Sequence, residues 1–348
     1  MKFTEFINSK DEIKLGFLGG SITFGTRASS GSLCYRNRVT AMLQEKFPEK
    51  KIENINAAIG GTGSDFGFFR MEKQLLSQNP DIIFVEFAVN DEEAENPDLY
   101  MENIVRKIQR TNPEIPIVFL YSVCEDTVNA FYSKGLIPKT VLLHQKVADY
   151  YNIPSVNMGK ALYDKIVAEG STIRDYLSDG VHPEDAGHGV YAESVVAALM
   201  DMSFEIKSVE KPLTRAMKNE VLLFPEVTAD WKKSNFKTYG LNEPYIYSST
   251  PKTVFRHSFR GNVVGMVFMM EKDSGNFEYS IDGGEKIEVK CYDYWCDRFP
   301  RTNYQIFTDE LENGEHTLEI VISDKKEDNS EGAYIRISAI MTAEYEGK

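Results

Sequence analysis

In Lys14-Leu-Gly-Phe-Leu-Gly-Gly-Ser21-Ile-Thr-Phe-Gly25 an apolar run stops at two glycines and presents a serine hydroxyl. A short apolar run bounded by glycine fits a central strand, and a tight exit made by glycine sets the next side chain at the carboxyl end of a sheet. Ser21 is therefore a candidate nucleophile. The familiar Gly-x-Ser-x-Gly elbow does not fit, because Thr23 stands where its second glycine belongs. The rival reading is a plain strand-to-helix turn, and Ser21 alone does not separate the two. Three further blocks follow in order: Asn56-Ala-Ala-Ile-Gly-Gly61-Thr-Gly-Ser, Phe84-Val-Glu-Phe-Ala-Val-Asn90-Asp91 and Ser178-Asp179-Gly-Val-His182-Pro183. Breaking an ester needs a base to take the hydroxyl proton, a carboxylate to orient that base, and N–H donors aimed at the developing oxyanion. His182 is the candidate base, and Asp179 lies close enough in sequence for one turn of chain to bring its carboxylate to the imidazole. The same Asp-x-x-His-Pro also reads as a turn into a helix beginning near Glu184, with Asp179 as its cap.

Taken together, the four blocks resemble the SGNH hydrolases, the superfamily that contains the GDSL esterases, across residues 1–204. The resemblance implies a catalytic triad of Ser21, Asp179 and His182 that needs neither cofactor nor metal. It also implies an oxyanion hole made by the backbone N–H groups of Ser21 and Gly61 and the side-chain amide of Asn90. Gly60 competes with Gly61, which is preferred because it stands five residues after Asn56, as in the family's second block. Two positions depart from the family pattern: Gly20 replaces the Asp of the family name, and Ala88 stands where glycine is usual. Asp91 reads as a structural partner that holds its loop. His144, His188, His257 and His316 read as surface or core residues, His188 being the nearest rival to His182.

The elements that must position these residues follow from periodicity. Apolar runs at Leu15 to Leu18, Ile52 to Ile55, Ile82 to Val89, Ile115 to Tyr121 and Pro154 to Val156 read as strands. Between them Val39, Met42, Leu43 and Phe47, and then Met101, Ile104, Val105 and Ile108, repeat at helical spacing. Strand alternating with helix gives a parallel α/β sheet covered on both faces, of the flavodoxin-like kind the resemblance implies. In such sheets the site lies beyond the carboxyl ends of the strands, where Ser21, Gly61 and Asn90 all fall.

After residue 205 the texture changes, which divides the chain into residues 1–204 and 205–348. Pro212 to Glu220 reads as a connector. Beyond it come short strand-like runs at Tyr245 to Ser248, Thr253 to Phe259, Val263 to Met270, Phe277 to Ile281, Lys286 to Lys290, His316 to Ile322 and Ala333 to Met341. Asp282-Gly283-Gly284 between two of them is a hairpin signal, and the whole reads as an all-β sandwich. Trp295 stands in the aromatic stretch Cys291-Tyr-Asp-Tyr-Trp-Cys-Asp-Arg-Phe, where it reads either as a platform for a sugar's apolar face or as sandwich packing.

A length of 348 residues favours two domains. The net charge of −14 and pI of about 5.0 argue against nucleic acid and against anionic membrane surfaces as partners. Cys34, Cys124, Cys291 and Cys296 show no metal-ligand spacing; the last two could pair across a turn, with reduced thiols the default. The first ten residues lack a continuous apolar stretch, and no run approaches the ~18 apolar residues of a membrane span, so a cytoplasmic enzyme is expected. A catalytic domain followed by a jelly-roll sandwich resembles carbohydrate esterase family 17, which implies removal of 2-O-acetyl groups from mannan-type oligosaccharides. Four alternatives stay open: an acetylxylan esterase, an O-acetyltransferase, a short-chain lipid esterase, and a glycan-binding protein with a vestigial triad. A homo-oligomer stays open as well.

Overall fold

In the computed structural model, which describes residues 1–205, 207, 209–238 and 241–347, the chain divides into two units at Thr214 and Arg215. The first unit is built on five parallel strands: β1 (Glu12–Gly19), β2 (Lys51–Ala58), β3 (Ile82–Glu86), β4 (Ile117–Leu120) and β5 (Ser155–Val156). Their order is β2-β1-β3-β4-β5, so the order reverses between β1 and β3. Nine helices accompany them among the described residues: α1 (Phe3–Asn8), α2 (Ser21–Phe24), α3 (Tyr35–Lys46), α4 (Ser64–Gln74), α5 (Pro97–Thr111), α6 (Glu125–Ala130), α7 (Lys139–Tyr151), α8 (Met158–Glu169) and α9 (Asp185–Asp201). None is long and apolar enough to cross a membrane.

Side chains alternate across a strand, and β1 uses that alternation fully. Ile13, Leu15 and Phe17 enter a core shared with Phe3 and Phe6 of α1, Val39 and Leu43 of α3, Leu162 of α8 and Val195 of α9. Each such fully buried side chain stabilises the fold by about 1.5–3 kcal/mol. Gly16 points the other way, where an added Cβ would lie 2.6 Å from Leu75, just past α4. Helix α4 packs on α5 and α5 on α7, which together cover that second face. With both faces covered, only the strand ends are left open for chemistry.

The second unit contains β6 (Met217–Leu223), β7 (Lys232–Thr238), β8 (Leu241–Ser248), β9 (Val254–Gly261), β10 (Val263–Met270), β11 (Phe277–Ile281), β12 (Ile287–Val289), β13 (Arg301–Thr308), β14 (Gly314–Ile322) and β15 (Ile335–Tyr345). One antiparallel sheet runs β13-β10-β15-β8-β7, with β6 also on β15, and the other runs β12-β11-β14-β9. Val264, Met266 and Phe268 of the first share a core with Phe255, Phe277, Leu318 and Ile320 of the second, which makes a sandwich. Asp282 and Gly283 adopt φ of 53° and 71°, and the Gly284 N–H donates to Ile281 O at 2.9 Å. Two left-handed residues in succession are the tight turn that suits the twist of a hairpin.

Three details differ from the sequence expectation. Residues after 204 stay with the first unit, because the buried Glu102 carboxylate of α5 accepts the Leu213 and Thr214 N–H groups, each at 2.6 Å. The stretch from Pro212 to Glu220 is more than a connector: its last residues begin β6, which pairs antiparallel with β15 from Met217 opposite Tyr345. Finally, β7 and β13 are strands that the pattern missed. β7 is an edge strand with mostly exposed side chains, and a polar edge carries no apolar alternation to read.

Candidate active site

Ser21, Gly61 and Asn90 follow the carboxyl ends of β1, β2 and β3 respectively. Ser21 opens α2, a single turn that ends at Gly25 with φ of 98°. The Ser21 Oγ lies 2.8 Å from His182 Nε2, and His182 Nδ1 lies 2.9 Å from Asp179 Oδ2. The other carboxylate oxygen, Asp179 Oδ1, accepts the N–H groups of Val181 at 2.9 Å and His182 at 2.8 Å. Asp179 thus closes its own turn and is not the cap of α9, whose N-cap is Glu184. Partial burial pushes the Asp179 carboxyl up, but the bonds from the His182 N–H, the imidazole and the Val181 N–H outweigh it and hold the group below the usual carboxylate range. An ionised Asp179 makes Nδ1 the protonated imidazole nitrogen, which leaves the Nε2 lone pair facing the Ser21 hydroxyl.

The segments that carry Ser21, Gly61 and Asn90 converge on Gly20. A Cβ there would lie 2.0 Å from Asn90 Oδ1 and 3.2 Å from Thr62 O, so the Asn90 side chain and the loop after β2 both pack on this backbone. A side chain at position 20 would therefore displace the Asn90 side chain from where it stands. Gly61 has φ of +73° and open space beside it, which suits a backbone that must let a substrate approach. Asp91 is buried; its carboxylate accepts the Ser64 N–H at 2.9 Å and meets His144 Nε2 at 3.0 Å, fixing α4 and α7 to the Asn90 loop. His188 is buried too, and desolvation lowers its pKa to about 4. Its Nδ1 accepts the Tyr35 N–H at 3.3 Å, so its Nε2 is left to donate to Thr26 O at 3.4 Å. It is a neutral brace for the loop after Ser21.

Several supporting side chains escaped the sequence reading. Arg70 is fully buried in α4, and its guanidinium donates to Gly19 O at 2.8 Å and Ala57 O at 2.5 Å, tying the ends of β1 and β2 together. Arg27 donates to Glu184 at 2.6 Å and Ser178 at 2.7 Å, and its Nε stands 3.9 Å from Asp179 Oδ2. Glu86 ends β3 and is 1% exposed, bonded to Thr23 and Ser122. The signal for Glu86 and Arg70 was a charge set inside an apolar run; for Arg27 there was none.

In the second unit Trp295 lies on a short 3-10 turn, Tyr294–Asp297, whose first N–H groups are capped by Asp293. Cys291 and Cys296 are buried free thiols that anchor this stretch in the sandwich core. Tyr294 and Trp295 point outward, at 63% and 47% exposure, while Tyr292 rests against the core. The Arg298 guanidinium lies over both exposed rings, 4.5 Å from the centre of Tyr294 and 5.3 Å from that of Trp295.

Comparison with known proteins is consistent with this geometry. The GDSL-like lipase/acylhydrolase family matches residues 17–190, half of the chain. Among solved structures, a two-domain esterase active on acetylated mannans, co-crystallised with mannopentaose, is similar at 22% identity and a TM-score of 0.82, covering 99% of this chain and 94% of that one. A second structure of a two-domain esterase active on acetylated mannans gives 22% identity and a TM-score of 0.81, over 98% and 94% of the two chains. At that identity the likeness is one of fold, extending through both units. No curated protein matches the chain. With the family model spanning both Ser21 and His182, the chain belongs to the GDSL-like lipase/acylhydrolase family and is a hydrolytic esterase.

Proposed function

We propose that this protein is a carbohydrate O-acetylesterase that removes acetyl groups, 2-O-acetyl foremost, from mannan-type oligosaccharides. The observation that carries the chemistry is the unbroken relay from Ser21 Oγ through the His182 imidazole to Asp179, at 2.8 and 2.9 Å. Ser21 Oγ attacks the acetyl carbonyl carbon while its proton passes to His182 Nε2. The carbonyl oxygen becomes an oxyanion, held by the N–H groups of Ser21 and Gly61 and the Asn90 amide; losing one such donor typically costs about 3 kcal/mol. As the tetrahedral species collapses, the sugar oxygen leaves and takes the proton from His182, with acetyl left on Ser21. Water then gives a proton to the same nitrogen and attacks the acetyl carbon, and acetate leaves as Ser21 recovers its proton.

The substrate class rests on the two-unit likeness to an esterase active on acetylated mannans and on the exposed ring of Trp295, which offers an apolar face to a sugar. The test is a panel of acetylated manno-oligosaccharides, acetylated xylan and p-nitrophenyl esters of rising chain length, with Ser21→Ala in parallel. The acetylated manno-oligosaccharides should give the highest kcat/KM, and S21A should lose on the order of 10,000-fold or more in kcat with the same melting temperature. A preference for xylan or for long acyl chains would overturn the substrate. An S21A variant that still turns over would overturn the mechanism.

A further inference from the structure

The serine that must be held still sits on an element that cannot hold itself. Helix α2 is one turn long, and its N-cap, Gly20, offers no side chain to bond the first N–H groups. A lone turn costs more chain entropy than its few hydrogen bonds return. Two buried side chains fix it: Ile22 packs into the core, and Thr23, two residues beyond Ser21 and fully buried, supplies the polar tie. The Thr23 hydroxyl donates to Glu86 Oε2 at 2.8 Å and lies 2.8 Å from the Tyr35 hydroxyl of α3. Glu86 Oε1 accepts the Ser122 hydroxyl, from just beyond β4, at 2.5 Å. The chain Tyr35–Thr23–Glu86–Ser122 therefore stitches α3, α2, β3 and the end of β4 together directly beneath the site.

Glu86 also belongs to the segment that leads to Asn90, so one carboxyl group touches the nucleophile's turn while its own backbone runs on to the oxyanion donor. A carboxyl group taken out of water is costly unless it is hydrogen-bonded, and here both oxygens are. Burial pushes the Glu86 carboxyl up from its ordinary range, against the pull of the Ser122 and Thr23 hydroxyls. The ester-cleaving steps make no chemical use of it. We propose that Glu86 is a positioning residue which, through Thr23, fixes the Ser21 hydroxyl relative to the Asn90 amide. This rests on Ser21 being the nucleophile.

The test uses the full chain and p-nitrophenyl acetate, so that no sugar contact enters. Thr23→Val keeps the shape but removes the hydroxyl; it should lower kcat about 10- to 100-fold with KM little changed, as a misplaced reacting group does. Thr23→Ser should restore most of that loss. Combining T23V with Glu86→Gln should lose no more than T23V alone, since both act through one contact. If T23V does not fold, Ser122→Ala, which frees the far carboxyl oxygen, should lower kcat about tenfold at unchanged KM. T23V at the wild-type kcat, equal losses in T23V and T23S, or losses that multiply in the double variant would overturn the assignment, as would an unaffected S122A. S21A run alongside separates the two failures: an active S21A overturns the nucleophile, whereas a silent S21A beside a wild-type T23V overturns only Glu86.

Discussion

Asp179 divides its two oxygens between its own turn and the imidazole, so it fixes at once where His182 is and which nitrogen carries the proton. Asp179→Asn tests that double duty. An amide that turns its oxygen to the Val181 and His182 N–H groups presents its NH2 to Nδ1, which must then accept, placing the imidazole proton on Nε2, against the Ser21 hydroxyl. D179N should therefore lower kcat by about 100- to 10,000-fold while KM moves little, measured by steady-state hydrolysis of p-nitrophenyl acetate. Unchanged kcat would leave Asp179 as a turn residue only. The pairing of Asp179 with His182 was legible in the sequence because a three-residue separation is local geometry. Glu86 and Thr23 lie 63 residues apart and meet only because β1 and β3 are neighbours in the sheet. No local pattern encodes that contact.

At the scale of elements, the distance between Ser21 and His182 is a distance between α2 and the loop before α9. Arg27 follows α2 with φ of 68°, a left-handed conformation that is uncommon outside glycine, and its fork spans to Ser178 and Glu184 on either side of His182. Ser29 adds bonds from its N–H and hydroxyl to Asp185 at 2.8 and 2.6 Å. The Arg27 and Glu184 side chains are 42% and 33% exposed, so the pair itself stabilises the fold by no more than about 0–1 kcal/mol. Its effect should be on geometry. Arg27→Ala should lower kcat about tenfold with little change in melting temperature. Arg27→Lys should not restore it, because an ammonium lacks the planar fork that reaches two partners. Equal kcat in R27A and wild type would show that Ser29, His188 and the backbone suffice to hold the loops. The strands that carry the site were legible for a related reason: β1 from Leu15 onward, β3 up to Val85 and β4 are buried on both faces and read as apolar runs. β7 lies toward solvent with a polar face and β6 mixes polar and apolar residues without alternation, so pairing with β8 and β15 is what makes them strands.

At the scale of the whole molecule, the exposed aromatic pair Tyr294 and Trp295 of the second unit is a surface that burial does not explain. The buried thiols of Cys291 and Cys296 hold the loop, yet Trp295 between them is left 47% exposed with Arg298 across its face. A ring with two side-chain torsions on an anchored turn loses little freedom when a sugar stacks on it. If Trp295 holds the oligosaccharide, Trp295→Ala removes binding energy from parts of the substrate remote from the acetyl group. Because remote binding energy also helps to orient the reacting ester, kcat/KM on an acetylated manno-oligosaccharide should fall more than about tenfold. Hydrolysis of p-nitrophenyl acetate, which has no sugar to stack, should stay within about twofold of wild type on the same argument. A buried tryptophan behaves differently, since truncating one costs about 3–5 kcal/mol of stability and would depress both activities along with the melting temperature. The half-exposed Trp295 should leave the melting temperature where it was. Parallel losses on the two substrates, or none on either, would show that this ring takes no part in holding the substrate.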